Sequence, residues 1–455
     1  MNLTRRRFLE IASGAAVAGL GFPLGAAPAV KRPSVNGRLN LAVIGCGTQA
    51  HTNVPMFLRD PRVRVVTVCD PVLAATGYSY DAKASGGRKV FKELVDAHYA
   101  DASCKMTADW REVVADPSVD AVLITTPDHW HAPISIAAMK AGKHVYCQKP
   151  MTLGIAEGQA MVRLAKASGV TFQVGSQHRG NSAFRVAAEF VRNGLLGECK
   201  TCTVGLPGAN GGMWGHGRSR ARQKAPAYFD TPASWNLWLG PSRHWEDDAY
   251  IPGIHEPMCW RWNSRTGGGM ITDWGAHWID ILHWAFDVER TGPVAIENMT
   301  TNLGDDDVFD WADKYSFDLV YANGCRAHVS SEARCGLTFH GSQGDCFCFP
   351  GTLERPKALA KWNEKRDLKD TDIRLYQAKD NHCHESDFVD GIFENRAIAT
   401  DCEIGHRSIS ACHLANICER LHLSNAKWDP VAERFVNNAD ADKLLETPHL
   451  NGFAL

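Results

Sequence analysis

Between residues 39 and 148 the chain alternates short apolar runs with longer amphipathic stretches, in a regular order. "LNLAVIGCGTQAHTNVPMFLRD" reads as a strand from Leu39 to Ile44, a glycine turn and a helix. "RVRVVTVCDP" reads as a second strand ending at Asp70. "DWREVVADPSVDAVLITTPDHWHAPISIAAMKAGKHVYCQKP" continues as helix, strand, loop, helix, strand. Ala121-Val122-Leu123-Ile124 is apolar throughout, as expected of a strand buried on both faces of a parallel sheet. The last run, His144 to Cys147, stops at Gln148-Lys149-Pro150. Pro150 cannot continue a central strand and pushes Lys149 towards an extended backbone, so Lys149 is expected at the lip of the sheet. The rhythm predicts an α/β fold that begins with a Rossmann dinucleotide-binding domain over residues 34–151.

From about residue 152 the pattern changes. One helix, "GIAEGQAMVRLAKASG", precedes several strand-like runs: "CKTCTVGLP", "VAIENMTTNL", "KYSFDLVYA", "CRAHVSSEA" and "GDCFCF". Strands in direct succession predict an α+β domain over 152–385, built on a large open, mostly antiparallel sheet. One face would cover helices and the other would be free as a subunit interface. Residues 386–455 read as a helical segment that packs back on the core. No internal repeat is seen.

The ends and the composition narrow the classes. Arg5-Arg6 followed by Phe8-Leu9, an Ala/Gly-rich apolar run and Ala27-Pro28-Ala29 reads as a twin-arginine export signal over residues 1–33. It predicts a periplasmic protein that folds, cofactor included, before export. That run is too short and glycine-rich for a membrane span, and no mature segment replaces it, so no membrane partner is expected. The formal charge is −2 with no long basic run, which leaves nucleic acid without an electrostatic footprint. Of the 15 cysteines, many sit in apolar contexts where a thiol acts as a small hydrophobe. Cys199-x-x-Cys202 and Cys346-x-Cys348 read better as positions on strands than as a metal or disulfide pair. His382-Cys383-His384 lacks a matching second pair, so no metal is assigned.

The candidate chemistry begins at the first turn, Gly45-x-Gly47-x-x-Ala50. Its first glycine permits the tight turn and its second allows a pyrophosphate to approach. A small third residue packs helix on strand, and the helix that opens with Thr48 and Gln49 offers its N-terminus to negative charge. Asp70, at the tip of the second strand, is placed to hold the adenine-ribose hydroxyls and would repel a 2′-phosphate. NAD is therefore expected, with NADP disfavoured. A plain turn residue is the other reading of Asp70. Thr126, Pro127, His131, Gln148 and Lys149 all map to the carboxyl edge of the sheet, where ligands of such sheets lie. Gln177 and His178 follow a strand and either reach that edge or fill a turn.

A second block, "GGGMITDWGAHWIDILHWAF", places Asp273, His277, Asp280 and Trp284 on one stripe if it is a continuous helix. Histidine suits proton transfer near neutral pH, and a carboxylate one turn away can orient it or bind a substrate hydroxyl. A buried, satisfied histidine beside a capping aspartate is the alternative. For Asp280 a structural bond and a substrate contact are equally open. The preceding segment carries Trp235, Trp238, Trp245, Trp260 and Trp262 among Arg, His and Asp. Such aromatics suit stacking on sugar faces, and also ordinary packing. Trp260, Arg261 and Trp262, next to the glycines, are the leading substrate candidates.

Taken together, the Gly45-x-Gly47-x-x-Ala50 turn, the "TTP…H" strand end, "AGKHVYCQKP" and the Asp-x-x-x-His block resemble the Gfo/Idh/MocA oxidoreductases. The resemblance covers nearly all of the mature chain. It implies Lys149 and His277 as a catalytic pair: His277 takes a hydroxyl proton, NAD takes the hydride, Lys149 bonds the reacting oxygen and Asp273 orients or binds. It implies a carbohydrate or polyol substrate and a homodimer or homotetramer. The family's usual glutamate before the lysine is Gln148 here, which keeps hydrogen bonding but loses charge. Export implies a tightly held, recycled cofactor. That accommodates a sugar oxidoreductase or a redox-neutral glycosidase working through transient oxidation and elimination; a non-catalytic, nucleotide-bound sugar sensor is the remaining reading.

Overall fold

The computed structural model describes residues 37–78, 83–208, 229, 231–242, 259–302, 309–363, 367–375 and 384–453. The export-signal segment 1–33, Trp245 and His382-Cys383 lie outside the described residues.

The first layer is a six-stranded sheet in the order β5-β2-β1-β6-β7-β8. Its strands are β1 (Leu39–Ile44), β2 (Val63–Cys69), β5 (Lys105–Thr107), β6 (Ala121–Ile124), β7 (His144–Gln148) and β8 (Phe172–Gly175). A small hairpin of β3 (Ala75–Thr76) and β4 (Ser85–Gly86) follows β2. All five pairings of the large sheet are parallel. β6 and β7 are buried at every position, which is why they read as unbroken apolar runs.

The boundary expected at 151/152 falls too early. β8 pairs in parallel with β7, so the first unit runs to Gly175 and the helix Ile155–Ser168 is its last crossover. The four residues of β8 are all buried, but four positions, with the polar Gln173 among them, are too short a signal to assign to one sheet or the other from sequence.

The second sheet has nine strands, in the order β15-β14-β13-β9-β12-β11-β10-β16-β17. They are β9 (Cys199–Gly205), β10 (Ala295–Thr301), β11 (Tyr315–Val320), β12 (Arg326–Ser330), β13 (Gly336–Gly341), β14 (Cys346–Phe349), β15 (Thr352–Glu354), β16 (Ala426–Asp429) and β17 (Arg434–Phe435). Among the described strands of this sheet only β9 and β12 pair in parallel. β11 alternates strictly between buried and half-buried residues, the signature of a sheet with one covered face. The helix Gly275–Phe286 lies on the covered face, and the open face carries polar pairs such as Asp318 with His328 and Arg326 with Glu297.

The C-terminal segment is not purely helical. The helix His384–Glu394 docks on the helix Thr48–Leu58, with Phe388 edge-on to Phe57. The helix Cys402–Arg420 packs between Gly275–Phe286 and Ile155–Ser168, and β16 and β17 then close one edge of the nine-stranded sheet. This segment therefore ties both sheets together. Thirteen described cysteines are free thiols, with Cys199 and Cys202 on β9 and Cys346 and Cys348 on β14. No described helix is long and apolar enough to cross a membrane.

Candidate functional site

The site is built outward from the end of β1. Gly45 has φ +96°, and a Cβ there would lie 2.6 Å from the Thr125 carbonyl carbon, so only glycine fits the turn. Its N–H donates to Cys69 O (2.8 Å), and its carbonyl accepts from Thr125 Oγ1 (2.6 Å). The helix Thr48–Leu58 then starts from Gly47, which offers no side-chain cap. Ala50 is fully buried against the sheet. Asp70 is buried at the tip of β2, and its carboxylate accepts from Cys46 N–H (2.7 Å) and Val72 N–H (2.8 Å). Burial pushes this carboxyl up to about 6, against the lowering effect of those two N–H groups and of Arg88.

Gly45, Gly47 and Asp70 line a cleft that also holds Thr126, Pro127, Gln148, Lys149, Trp238, Trp260 and Arg261. A glycine-limited turn, an uncapped helix start and a carboxylate beyond β2 fit a dinucleotide laid along this edge. Tyr78, Ala108 and Trp110 also line it. They follow β2 and β5, and only the rule that ligands lie beyond strand ends marks them in the sequence.

Lys149 joins the cleft to the second domain. Its ammonium donates to Asp273 Oδ1 (2.7 Å) and to the Asp273 carbonyl (2.8 Å). Arg261 Nε lies 3.2 Å from the same carboxylate oxygen, and the Arg261 guanidinium sits 4.2 Å from the Trp260 ring centroid. Burial raises the Asp273 carboxyl, but the Arg261 and Lys149 cations outweigh it and hold it at about 2.

The expected continuous helix is interrupted here. One helix ends at Asp273 and the next begins at Gly275, with Trp274 between them. His277 N–H bonds to Trp274 O, one residue short of the α-helical partner, which leaves the Asp273 carbonyl free for Lys149. The two residues are thus not on one regular stripe. His277 is half-buried beyond the cleft wall, with its ring 4.5 Å from that of His178, and its Nδ1 has no partner among the described residues. Burial, Lys149 and His178 push the His277 imidazole well below its ordinary value. Burial and Lys149 take His178 to about 4.

Several expected contacts belong to the scaffold instead. Asp280 is buried, bonded by both oxygens to Arg179 (2.8 Å each) and by one to Ser408 (3.1 Å), so it is structural and not a substrate group. Trp262 is buried in the core, unlike Trp260. His131 is buried with its ring nitrogens against Pro150 O (2.6 Å) and Thr126 O (2.9 Å), and it positions the two strand ends without facing the cleft. Gln177 lies in the short turn Gln177–Gly180, off the cleft wall.

Gln148 has a local reason. Its Nε2 donates to Asn53 Oδ1 (2.8 Å), as does Gln49 Nε2 (3.1 Å), and Asn53 Nδ2 donates to Glu385 (2.6 Å). A glutamate at 148 would face an acceptor already oriented by Glu385. Asn53 was missed in the sequence, although it lies four residues after Gln49 on the same helix. Asp128, on the cleft wall, was also not singled out.

Comparison with known proteins agrees with this architecture. Residues 39–176 match the family profile described as "Oxidoreductase family, NAD-binding Rossmann fold", and residues 181–455 match its "C-terminal alpha/beta domain". The chain is 34% identical over 125 residues to levoglucosan dehydrogenase of Pseudarthrobacter phenanthrenivorans, covering 26% of this chain and 32% of that protein. It is 36% identical over 94 residues to myo-inositol 2-dehydrogenase of Thermotoga maritima, covering 21% and 28%. The chain thus spans about a third of the length of these relatives. Aldose-aldose oxidoreductase of Caulobacter crescentus superposes with a TM-score of 0.57 at 17% identity, over 86% of this chain and 99% of that one. The chain belongs to the Gfo/Idh/MocA oxidoreductase family and carries an NAD-binding Rossmann domain.

Proposed function

Taking family membership as the premise, we propose that the protein is an NAD-dependent dehydrogenase acting on a secondary hydroxyl of a carbohydrate or polyol. The observation that carries this is Lys149: an ammonium on the wall of the dinucleotide cleft, fixed by Asp273 beside a neutral imidazole. Bound NAD supplies the hydride acceptor. His277, kept neutral by burial and by Lys149, accepts the hydroxyl proton. Lys149 donates a hydrogen bond to the reacting oxygen and stabilises the charge that develops there. Asp273 holds the ammonium in place through its carboxylate and its freed carbonyl. Asp70 receives the adenine-ribose hydroxyls and disfavours a 2′-phosphate.

The dehydrogenase names of two relatives, one acting on levoglucosan and one on myo-inositol, support the substrate class. The twin-arginine pattern at Arg5-Arg6 supports a periplasmic protein with a retained cofactor. The polar open face of the nine-stranded sheet supports a homodimer or homotetramer, which light scattering would measure. The test of function uses protein purified through its own export route without added cofactor. Denaturation should release stoichiometric NAD, identified by mass spectrometry. In a separate native sample, levoglucosan, myo-inositol or an aldose should reduce the bound cofactor, read by nicotinamide absorbance. Protein that neither carries nor binds NAD would overturn the reading; protein that holds NAD but turns over no carbohydrate would favour the nucleotide-bound sensor.

A further inference from the structure

The cleft wall carries two carboxylates, and they are treated differently by the protein. Asp70 is satisfied by two backbone N–H groups. Asp128 is 2% exposed, yet its carboxylate has no hydrogen-bond partner among the described residues. It opens the short turn Asp128–Trp130, which runs into the helix His131–Lys140. An acid in that position commonly caps the helix, but no side chain caps either element. The nearby cations are engaged elsewhere: both Lys149 and Arg261 contact Asp273. Burial raises the Asp128 carboxyl well above the usual carboxylate range, and Arg261 offsets only part of this.

The turn that carries Asp128 is fixed. His129 Nε2 and Trp130 Nε1 both meet the Trp238 carbonyl, at 2.9 and 2.8 Å. Asp128 therefore shares the cleft wall with Trp238 and Trp260 at the Lys149 end, far in sequence from the Asp70 end. The residue is almost wholly covered but its carboxyl lies on the cleft wall, so the protein leaves that bond to whatever fills the cleft, and a ligand hydroxyl would supply it. The apolar tryptophan surfaces beside it suit the face of a sugar ring.

Resting on the dehydrogenase reading above, we propose that Asp128 is a substrate-binding residue whose carboxyl bonds a hydroxyl of the carbohydrate. The test is Asp128→Asn and Asp128→Leu, each measured in three ways. The first is the melting temperature of the free protein, the second NAD affinity by fluorescence titration. The third is kinetics on levoglucosan, myo-inositol or an aldose, whichever the wild type uses best. We expect melting temperatures no lower than wild type and NAD affinity within about twofold. For Asp128→Leu we expect kcat/KM for the carbohydrate to fall by two to three orders of magnitude, mostly in KM. Asp128→Asn should lose less. A fall of several degrees in melting temperature would make Asp128 structural, a tenfold loss of NAD affinity would make it a cofactor residue, and an unchanged KM would make it a bystander; each overturns the proposal. If no probe is turned over but one stabilises the wild type and not Asp128→Leu, the dehydrogenase reading fails while this proposal stands. If no probe binds, both fail.

Discussion

The two ends of the cleft are built in different ways. At the dinucleotide end, the Gly45 turn and Asp70 are held by backbone groups from a short stretch of chain: the Cys46–Asp70 bond spans 24 residues. At the Lys149 end the key bond, Lys149 to Asp273, spans 124 residues and joins two domains. At the first end the carboxylate is satisfied: Asp70 accepts from two backbone N–H groups and, at 3.5 Å, from Tyr78 Oη. The second retains two buried unmet atoms, His277 Nδ1 and Thr126 Oγ1, beside the Asp128 carboxylate on the cleft wall. Backbone-held groups make a rigid, local recognition element. Side chains drawn from distant elements can leave polar atoms for a ligand to satisfy, but they depend on the whole core to keep their spacing.

The contrast is tested most strongly by Lys149→Met. We expect kcat to fall on the order of 10³-fold, with NAD affinity changed by less than about tenfold, because one ammonium serves the chemistry and not the dinucleotide. Equal losses in both would merge the two ends into one unit. Next is Asp280→Asn, which leaves Arg179 buried with only Glu289 as a charged partner. Urea unfolding should show a loss of ~3–5 kcal/mol, since breaking a buried pair strands its other charge. A stable variant with a raised carbohydrate KM would return Asp280 to the substrate.

Gly45→Ala probes the opposite end. A side chain at φ +96° with its Cβ 2.6 Å from the Thr125 backbone should cost ~1–3 kcal/mol, read as weaker NAD binding with kcat preserved at saturation. Gln148→Glu sits where the ends meet. It replaces a donor to Asn53 by a second acceptor, and we expect a stability loss on the order of 1 kcal/mol by thermal unfolding. A gain would show that Asn53 and Glu385 rearrange freely.

The smallest effect separates the ends by pH. Asp70 titrates at about 6, so NAD affinity should fall a few-fold as pH drops below that value and the carboxylate takes a proton. His277 is depressed well below its ordinary value, so kcat at saturating NAD should hold over the same range. Stability moves in opposite senses. The raised Asp70 contributes stability that is lost as pH rises through about 6. The depressed His178 contributes stability that is lost as pH falls from about 6.5 towards about 4. Isothermal titration for NAD and initial rates at saturation would read the two apart.

The dinucleotide end was largely legible in the sequence because each of its requirements is local. A glycine at 45, a small residue at 50 and an acid after β2 are positions in a short pattern. The other end was legible only as a set of candidates. Asp273 and His277 were identified, but the break at Trp274 was not, since the three glycines and the apolar spacing read as a continuous helix. Asp280 stayed open between a structural bond and a ligand contact, and Trp262 looked like a ligand group, because a sequence shows residue type and not burial. Asp128 was passed over because nothing in "TTPDHWH" tells a capping acid from one whose bonds are left open.

The sequence by itself determined the alternation that makes a parallel first sheet, the glycine turn at its edge, and the succession of strands that follows. Periodicity and backbone permission act over a few residues, so a few residues reveal them. The tertiary structure alone decided that β8 belongs to the first sheet and that β16 and β17 close the second. It also decided which of Asp70, Asp128, Asp273 and Asp280 are satisfied and by what. Those outcomes depend on partners brought together from across the chain, and a carboxylate is shifted, neutralised or left waiting for a ligand by neighbours that its own segment does not contain.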